Sequence, residues 1–399
     1  MTASLSYPPF LGAPRRLDDI YGPGVAVCAR PAVEVGVPAS LHRDTRDVVS
    51  ARPLAVAGDT PLVCSTGGTD PELLARLRDS GLPVGTDLRA FGTEVEFERR
   101  VREVVAEGLS VSSEYPQPTT LCPDASALKT GALVGHLNNK ASINTLVGRG
   151  FQARRVVVAR AGLSAAAPEG RSWVLKAATD DAHGGSLDVY LHRAGRRIVP
   201  PAFTRVLDEF VVEEYLSLVH NWGVQLYVAA DGVARLLAVT EQRVDTAGVY
   251  TGGRFGAVTP LPTELLTECV AIAQRAADLG YRGMCSLDCA RAADDRLVVL
   301  DLNFRLTSGS LPLLALRSIR PDALDQPAES VKLTTTAPLP DLLADLAPTL
   351  AAGGLLIIAG HDSHRTDSPV RRSTLQLLVF GDDPDEVAHR RTALENRVG

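Results

Sequence analysis

Two apolar runs of strand length, GMCSLDCA at 283–290 and RLVVLDLNFR at 296–305, are separated only by a few residues containing the turn ADD at 293–295. So short a connection allows an antiparallel hairpin and leaves no room for a parallel crossover. In the second run Asp301, Asn303 and Arg305 recur with period two, so their side chains share one face, and the hairpin sets Asp288 beside them. Two carboxylates and an amide oxygen are hard donors, suited to Mg²⁺ rather than zinc. A fixed guanidinium next to them suits a phosphate or a developing oxyanion. The competing reading is the solvent-facing side of an edge hairpin. Against it stand the buried-looking LVVL before these residues and the glycine turn TSGS after them.

Upstream segments supply partners for such a site. Lys140, in HLNNKASI, opens a helix expected around 142–147, and Lys176 follows the apolar strand residues WVL. Alone, Lys176 reads as a snorkelling edge residue. It is followed, however, by DDAHGGS at 180–186, whose glycines can lay backbone N–H groups on a phosphate. VVEEYL at 211–216 then ends an apolar strand with two acids. Backbone groups of such a strand can read an adenine edge, and a nearby carboxylate or His can take ribose hydroxyls.

The wider chain divides into three parts. Residues 1–122 read as a small α/β layer, with the helices PELLARLRDSG and Glu94–Ala106, strands within PLAVAGDTPLVC, and LPV at 82–84 as a further strand. EYPQPTTLCPDAS at 114–126, with three prolines, is the candidate linker. Residues 123–310 alternate short apolar runs with turns, the pattern of antiparallel sheet. Residues 311–399 form a C-terminal α/β extension in which GGLLIIAG and STLQLLVFG read as strands. Loop readings attach to 244–258, expected to be flexible, and to HDSH at 361–364, whose histidines read as surface turn residues.

Composition removes several functions. The 399 residues carry a formal charge of −6 and 5% aromatics, which argues against a general nucleic-acid surface. No GxxxxGK[ST] is present, Gly22 and Gly24 make only a partial glycine fingerprint, and STGGTD reads as a tight turn more readily than as a phosphate-binding helix start. Six cysteines without a CxxC pair read as free thiols of a reducing cytoplasm. MTASLSYPPF has no basic leader region, and the aliphatic runs are too short to span a bilayer, so a cytoplasmic protein without membrane contact is expected.

The order LNNK, WVLKAATDDAHGGS, VVEEYL, LDC and LDLNFRLTSGS resembles the ATP-grasp superfamily over roughly 126–310. More loosely, the chain is similar to the peptide ligases of the pheganomycin type, which carry a preATP-grasp domain. The resemblance implies an ATP-grasp fold of two α+β subdomains, behind a small α/β preATP-grasp domain. It implies that Lys140 and Lys176 hold ATP phosphates, and that His183, Gly184, Gly185 and Ser186 belong to a phosphate lid. Glu213, Glu214, Tyr215 and Leu216 would form the adenine strand, with His220 or Asn221 at the ribose. Asp288, Asp301 and Asn303 would ligate one or two Mg²⁺, or Mn²⁺ in its place, and Arg305, with Lys176, would act at the transferred phosphoryl. Two departures stand out. Asp301 replaces the more usual glutamate, and Phe304 the usual proline. The implied reaction is ATP-dependent amide formation between a small-molecule carboxylate and an amine through an acyl phosphate, in natural-product biosynthesis. A carboxylase, a non-catalytic nucleotide-binding module and a hydrolase using HDSH are the alternatives. The closing helix DEVAHRRTALENRV leaves room for a homodimer.

Overall fold

The computed structural model describes residues 13–32, 43–167, 170–180, 189–199, 201–245, 250–320 and 325–398. Four short strands, β1 (Val25–Cys28), β2 (Leu62–Ser65), β3 (Leu88–Phe91) and β4 (Ser110–Ser113), form a parallel sheet in the order β3-β2-β1-β4. Alternate residues of β1 and β2 serve two cores. Ala26, Cys28 and Val63 pack with Phe97, Val101 and Val104 of the helix Glu94–Ala106. Val25, Val27, Leu62 and Cys64 face a larger core shared with the C-terminal third. The Glu94–Ala106 helix starts on a reciprocal cap, in which Thr93 Oγ1 accepts the Glu96 N–H and the Glu96 carboxylate accepts the Thr93 N–H, both at 3.1 Å.

Of the one or two short strands expected within PLAVAGDTPLVC one forms, at Leu62–Ser65, and LPV is not a strand. Arg52–Val56 forms a 3₁₀ turn with Pro53 in its first positions, and LPV stays outside the sheet, the third strand being Leu88–Phe91. Proline explains both differences, since it pre-sets a helical φ at a helix start and has no N–H to give a strand ladder.

A second sheet holds β5 (Arg155–Ala159), β6 (Trp173–Ala177), β7 (Val189–His192) and β8 (Glu209–Glu214), antiparallel in the order β5-β8-β6-β7. The third sheet has eight antiparallel strands: β9 (Leu218–Val228), β10 (Ala234–Val244), β11 (Tyr250–Phe255), β12 (Gly283–Ala292), β13 (Leu297–Asn303), β14 (Ala328–Thr335), β15 (Leu355–Asp362) and β16 (Ser373–Phe380). Its order is β13-β12-β9-β10-β11-β14-β16-β15. The C-terminal strands thus extend the sheet that carries the hairpin. Much of the segment 244–258, expected as a loop, is strand β11, because Gly252 and Gly253 let the chain pass close to Ser330 between β10 and β14. Residues 246–249 lie outside the described residues. The helix Thr263–Asp278 packs on β9 and β10 and buries Leu265, Cys269, Ile272 and Ala276 in the core.

The N-terminal layer is locked onto the C-terminal strands. His361 is buried in β15 and pairs through Nε2 with Ser65 Oγ at 3.1 Å, contrary to its reading as a surface residue. A Cβ at Gly67 would come within 2.5 Å of that Nε2, and one at Gly68 within 2.3 Å of the Ala51 Cβ. Gly67 therefore serves close approach to β15, and Gly68 close approach to the helix Arg43–Ala51. Among the described residues, no helix is long and apolar enough to cross a membrane.

Glu114, just after β4, joins the N-terminal layer to the middle part of the chain. Its buried Oε1 accepts Lys129 Nζ at 2.9 Å and the Tyr21 hydroxyl at 3.0 Å, and its Oε2 accepts the Leu306 N–H at 2.6 Å. Both side chains of the Glu114–Lys129 pair are fully buried. Removing one partner of such a pair leaves an uncompensated buried charge. Glu114→Ala is therefore expected to cost about 3–5 kcal/mol in denaturant unfolding, much of it recovered in Glu114→Ala/Lys129→Met. A second expectation concerns pH. Burial lowers the His361 pKa from 6.5 to about 4. The unfolded chain takes up this proton more readily than the folded one, so stability falls as pH drops from 6.5 towards 4. His361→Gln should flatten that part of a Tm-versus-pH curve.

Candidate active site

The hairpin of β12 and β13 turns through Asp295, which takes a left-handed φ of 65°. Its register pairs Asp288 with Asp301 and Ser286 with Asn303, so the two carboxylates stand directly opposite each other. The register also carries a bulge. The next pair is Cys289 with Val299, which leaves Leu300 as an extra residue on β13, the edge strand of the sheet.

Two like charges in a cross-strand pair repel, and their surroundings answer this unequally. Burial, then the charge of Asp301, pushes the Asp288 carboxyl up to about 7. Gln242, from β10, donates to Asp288 Oδ1 at 2.6 Å. At Asp301 burial alone would raise the pKa, but the ammonium groups of Lys140 and Lys176 hold it below the usual carboxylate range. Lys140 Nζ meets both Asp301 oxygens, at 2.8 and 2.7 Å, from a short 3₁₀ turn at Lys140–Ser142.

Beyond β13 the chain leaves the ladder, and two side chains take over its N–H groups. Asn138 Oδ1 accepts the Phe304 N–H at 3.0 Å, while Glu114 takes that of Leu306. Arg305 lies between these two anchors, donating NH1 to Asn138 Oδ1 at 2.6 Å and NH2 to Asn303 Oδ1. Its guanidinium stands 5.5 Å from the centroid of the Tyr115 ring. Phe304 is fully buried edge-on against Tyr281 at 5.1 Å, so its role is packing.

The second sheet faces this floor. Lys176, on β6, is buried and donates to Glu213 Oε1 and Oε2 at 3.0 and 3.1 Å, and across the cleft to the Leu300 carbonyl at 2.8 Å. The bulge at Leu300 thus coincides with the point where the two sheets touch. Arg155, on β5, donates NH2 to Glu213 Oε2 at 2.5 Å, with its Nε and NH1 buried and unpartnered. Burial would raise the pKa of Glu214, but Arg296 and Arg154 hold it down to about 2. Tyr215 lies under the Arg193 guanidinium at 4.1 Å. Among the described residues, the N–H and C=O groups of Tyr215 and Leu216 make no backbone hydrogen bond.

The pleat separates His220 from Asn221. Gly223 pairs with Asp288 and Asn221 with Ala290, so Asn221 lies on the carboxylate face, where its Oδ1 is buried without a partner. His220 stacks on Trp222 at 5.5 Å, and Trp222 packs in the core on the opposite face, beneath the Thr263–Asp278 helix. His183, Gly184, Gly185 and Ser186 lie outside the described residues. Position-by-position reading missed Asn138, Gln242, Arg155 and Tyr115, whose roles depend on pairing across the fold. Only Asn138 had a signal, its place in LNNK.

The donor set of Asp288, Asp301 and the Asn303 amide oxygen fits a hard divalent cation, with remaining positions left for phosphate oxygens and water. Among the described residues no group of three His, Cys, Asp or Glu side chains converges, and HDSH is spent on the N-terminal interface, with His364 Nδ1 on Asp362 Oδ1 at 2.6 Å.

Solved structures share this fold at low identity. N5-carboxyaminoimidazole synthetase from Staphylococcus aureus, complexed with ADP, matches with a TM-score of 0.60 and 11% identity, over 94% of this chain and 96% of that one. Carboxyaminoimidazole ribonucleotide synthase from Aspergillus clavatus, complexed with ATP, matches with a TM-score of 0.56 and 14% identity, over 84% and 98%. These likenesses give the architecture, an ATP-grasp fold behind a small parallel α/β domain. Two family models give more. Residues 16–135 match the L-aspartate–L-methionine ligase N-terminal domain, and residues 153–303 match the ATP-grasp domain of L-aspartate–L-methionine ligase. Together these matches span more than half of the chain, which belongs to the ATP-grasp ligases, enzymes that join a carboxylate to an amine with ATP.

Proposed function

We propose that the chain joins two amino acids, activating the carboxylate of one as an acyl phosphate and passing it to the amine of the other. The observation that carries this reading is the convergence of Asp288, Asp301, Lys140, Lys176 and Arg305 where the two sheets meet. The family models add the chemical class, since the ligase they describe joins L-aspartate to L-methionine.

The residues divide the work by charge. The ammonium groups of Lys140 and Lys176 both act on Asp301, so phosphates drawn to them lie over the carboxylate pair. The backbone groups of Tyr215 and Leu216, beside the Glu213–Glu214 strand end and without a backbone partner among the described residues, would read an adenine edge, and the buried, unpartnered Oδ1 of Asn221 supports its taking a ribose hydroxyl. Asp288, Asp301 and Asn303 would hold Mg²⁺, with Mn²⁺ as a substitute. Bound there, the ion neutralises phosphate charge as the γ-phosphoryl group is transferred. A substrate carboxylate oxygen attacks that phosphorus and ADP leaves. The amine then attacks the acyl carbon, and phosphate departs. Arg305, fixed by Asn138 and Asn303, meets negative charge in both steps, first on the phosphoryl and then on the tetrahedral oxyanion. Because Asp301 is a methylene shorter than glutamate, the short reach of Lys140 onto it brings the phosphate-binding cation close to the metal ligands.

The direct test is ADP release by the full chain with ATP, Mg²⁺ and pairs of L-amino acids, beginning with aspartate and methionine. Release should require both substrates, stop with EDTA and return with Mg²⁺. It should fall roughly 100-fold or more in Asp301→Ala, the scale of losing a major transition-state contact. If no pair yields ADP above that variant, the reading fails. The ribose assignment is checked separately. Asn221→Ala should raise the KM for ATP several-fold while leaving that for 2′-deoxy- or 3′-deoxy-ATP closer to unchanged, and His220→Ala should change neither.

A further inference from the structure

Arg52 opens the 3₁₀ turn Arg52–Val56, which packs against the helix Ser310–Ile319 and strand β15. It therefore sits where the N-terminal layer, the segment after Arg305 and the C-terminal strands meet. A fully buried guanidinium such as that of Arg30 has a carboxylate partner, Asp47 at 2.7 Å. Arg52 makes no hydrogen bond or ion pair among the described residues, and its Nε is buried without a partner. Burial lowers its pKa, and the titratable groups facing it are the phenols of Tyr115 and Tyr250. Tyr115 carries Arg305 over its ring at 5.5 Å. The hydroxyl of Tyr250 is buried beside Ser330 without a hydrogen bond of standard geometry, within electrostatic reach of Asp288.

A half-buried guanidinium with a buried Nε, and a buried hydroxyl, both without a hydrogen-bond partner among the described residues, are costly unless a ligand completes them. The ligand that matches a guanidinium fork is a carboxylate or a phosphate. The phosphates already have Lys140, from its 3₁₀ turn, and Lys176 on the facing sheet. Joining two amino acids leaves at least one carboxylate that takes no part in the chemistry, and that charge must be met close to Arg305 but apart from it. We propose that Arg52, with Tyr115 and Tyr250, forms the subsite for a substrate carboxylate that is not phosphorylated. This carboxylate belongs either to the amine-bearing amino acid or to the second acid group of the activated one. The subsite rests on the amino-acid ligase reading above, and it assigns the N-terminal layer a direct part in substrate selection.

The experiment compares the full-length wild type with Arg52→Met, using each amino acid and the analogue in which its non-reacting carboxylate is an amide. Binding is followed by calorimetry, and turnover by ADP release. Wild type should prefer the carboxylate over the amide for one of the two substrates. Which substrate shows the preference identifies the source. In Arg52→Met that substrate's KM should rise roughly 10- to 100-fold, the scale of one charge-assisted contact. The preference over its amide should vanish, with the KM for ATP unchanged. Since Arg52 has no partner among the described residues, Tm should hold or rise, and a large fall in Tm would instead mark a structural role and overturn the subsite. If wild type joins amino acids but Arg52→Met keeps the carboxylate preference, the subsite is overturned and the ligase reading stands. If wild type neither binds nor joins amino acids, both are overturned.

Discussion

Two carboxylates placed opposite each other on neighbouring strands, largely out of water, cannot both stay ionised unless positive charge is brought to them. Asp288 and Asp301 impose that requirement, and much of the surrounding structure meets it. Lys140 takes both oxygens of Asp301 from one side, and Lys176 adds its charge from the facing sheet. Gln242 satisfies Asp288 without adding charge. The compensation is lopsided, so that one carboxyl is driven up and the other held down. Such a pair is poised to take a divalent cation and the anionic ligand that comes with it.

The contact between the sheets depends on a defect in one of them. The extra residue Leu300 lies on the edge strand β13, and its carbonyl receives Lys176. The same ammonium is held by Glu213, which Arg155 also grips. Ion pairs of this kind contribute little net stability once desolvation is counted. Their worth here is positional, since they fix a lysine at the height of the carboxylate pair.

The hairpin was legible because period-two spacing and a short turn leave one arrangement, and Lys140 and Lys176 stood out by their order along the chain. The Glu94–Ala106 helix was legible for a similar reason, its cap and apolar spacing agreeing with each other. What stayed hidden depends on distant pairing. Gln242 reaches Asp288 only because β9 lies between β10 and β12. The burial of His361 depends on β15 meeting the Ser65 turn some 300 residues away, and nothing local in HDSH announces it. The run PLAVAG misled because apolar content alone does not distinguish a strand from a buried 3₁₀ turn. Arg52 immediately precedes that run.

The segment 304–306 ties the small N-terminal layer to the eight-stranded sheet. Past Asn303 the chain gives up its ladder, so the N–H groups of Phe304 and Leu306 need acceptors from elsewhere. Asn138 supplies one and Glu114 the other, and Glu114 itself is neutralised by Lys129 and steadied by Tyr21. Arg305 is the residue held between them. Its direction is therefore set by three distant stretches of sequence, and loosening any of them moves a guanidinium whose usefulness depends on arriving already aligned. The N-terminal layer thus reaches Arg305 twice, through Glu114, which holds the next residue's N–H, and through Tyr115 against its face.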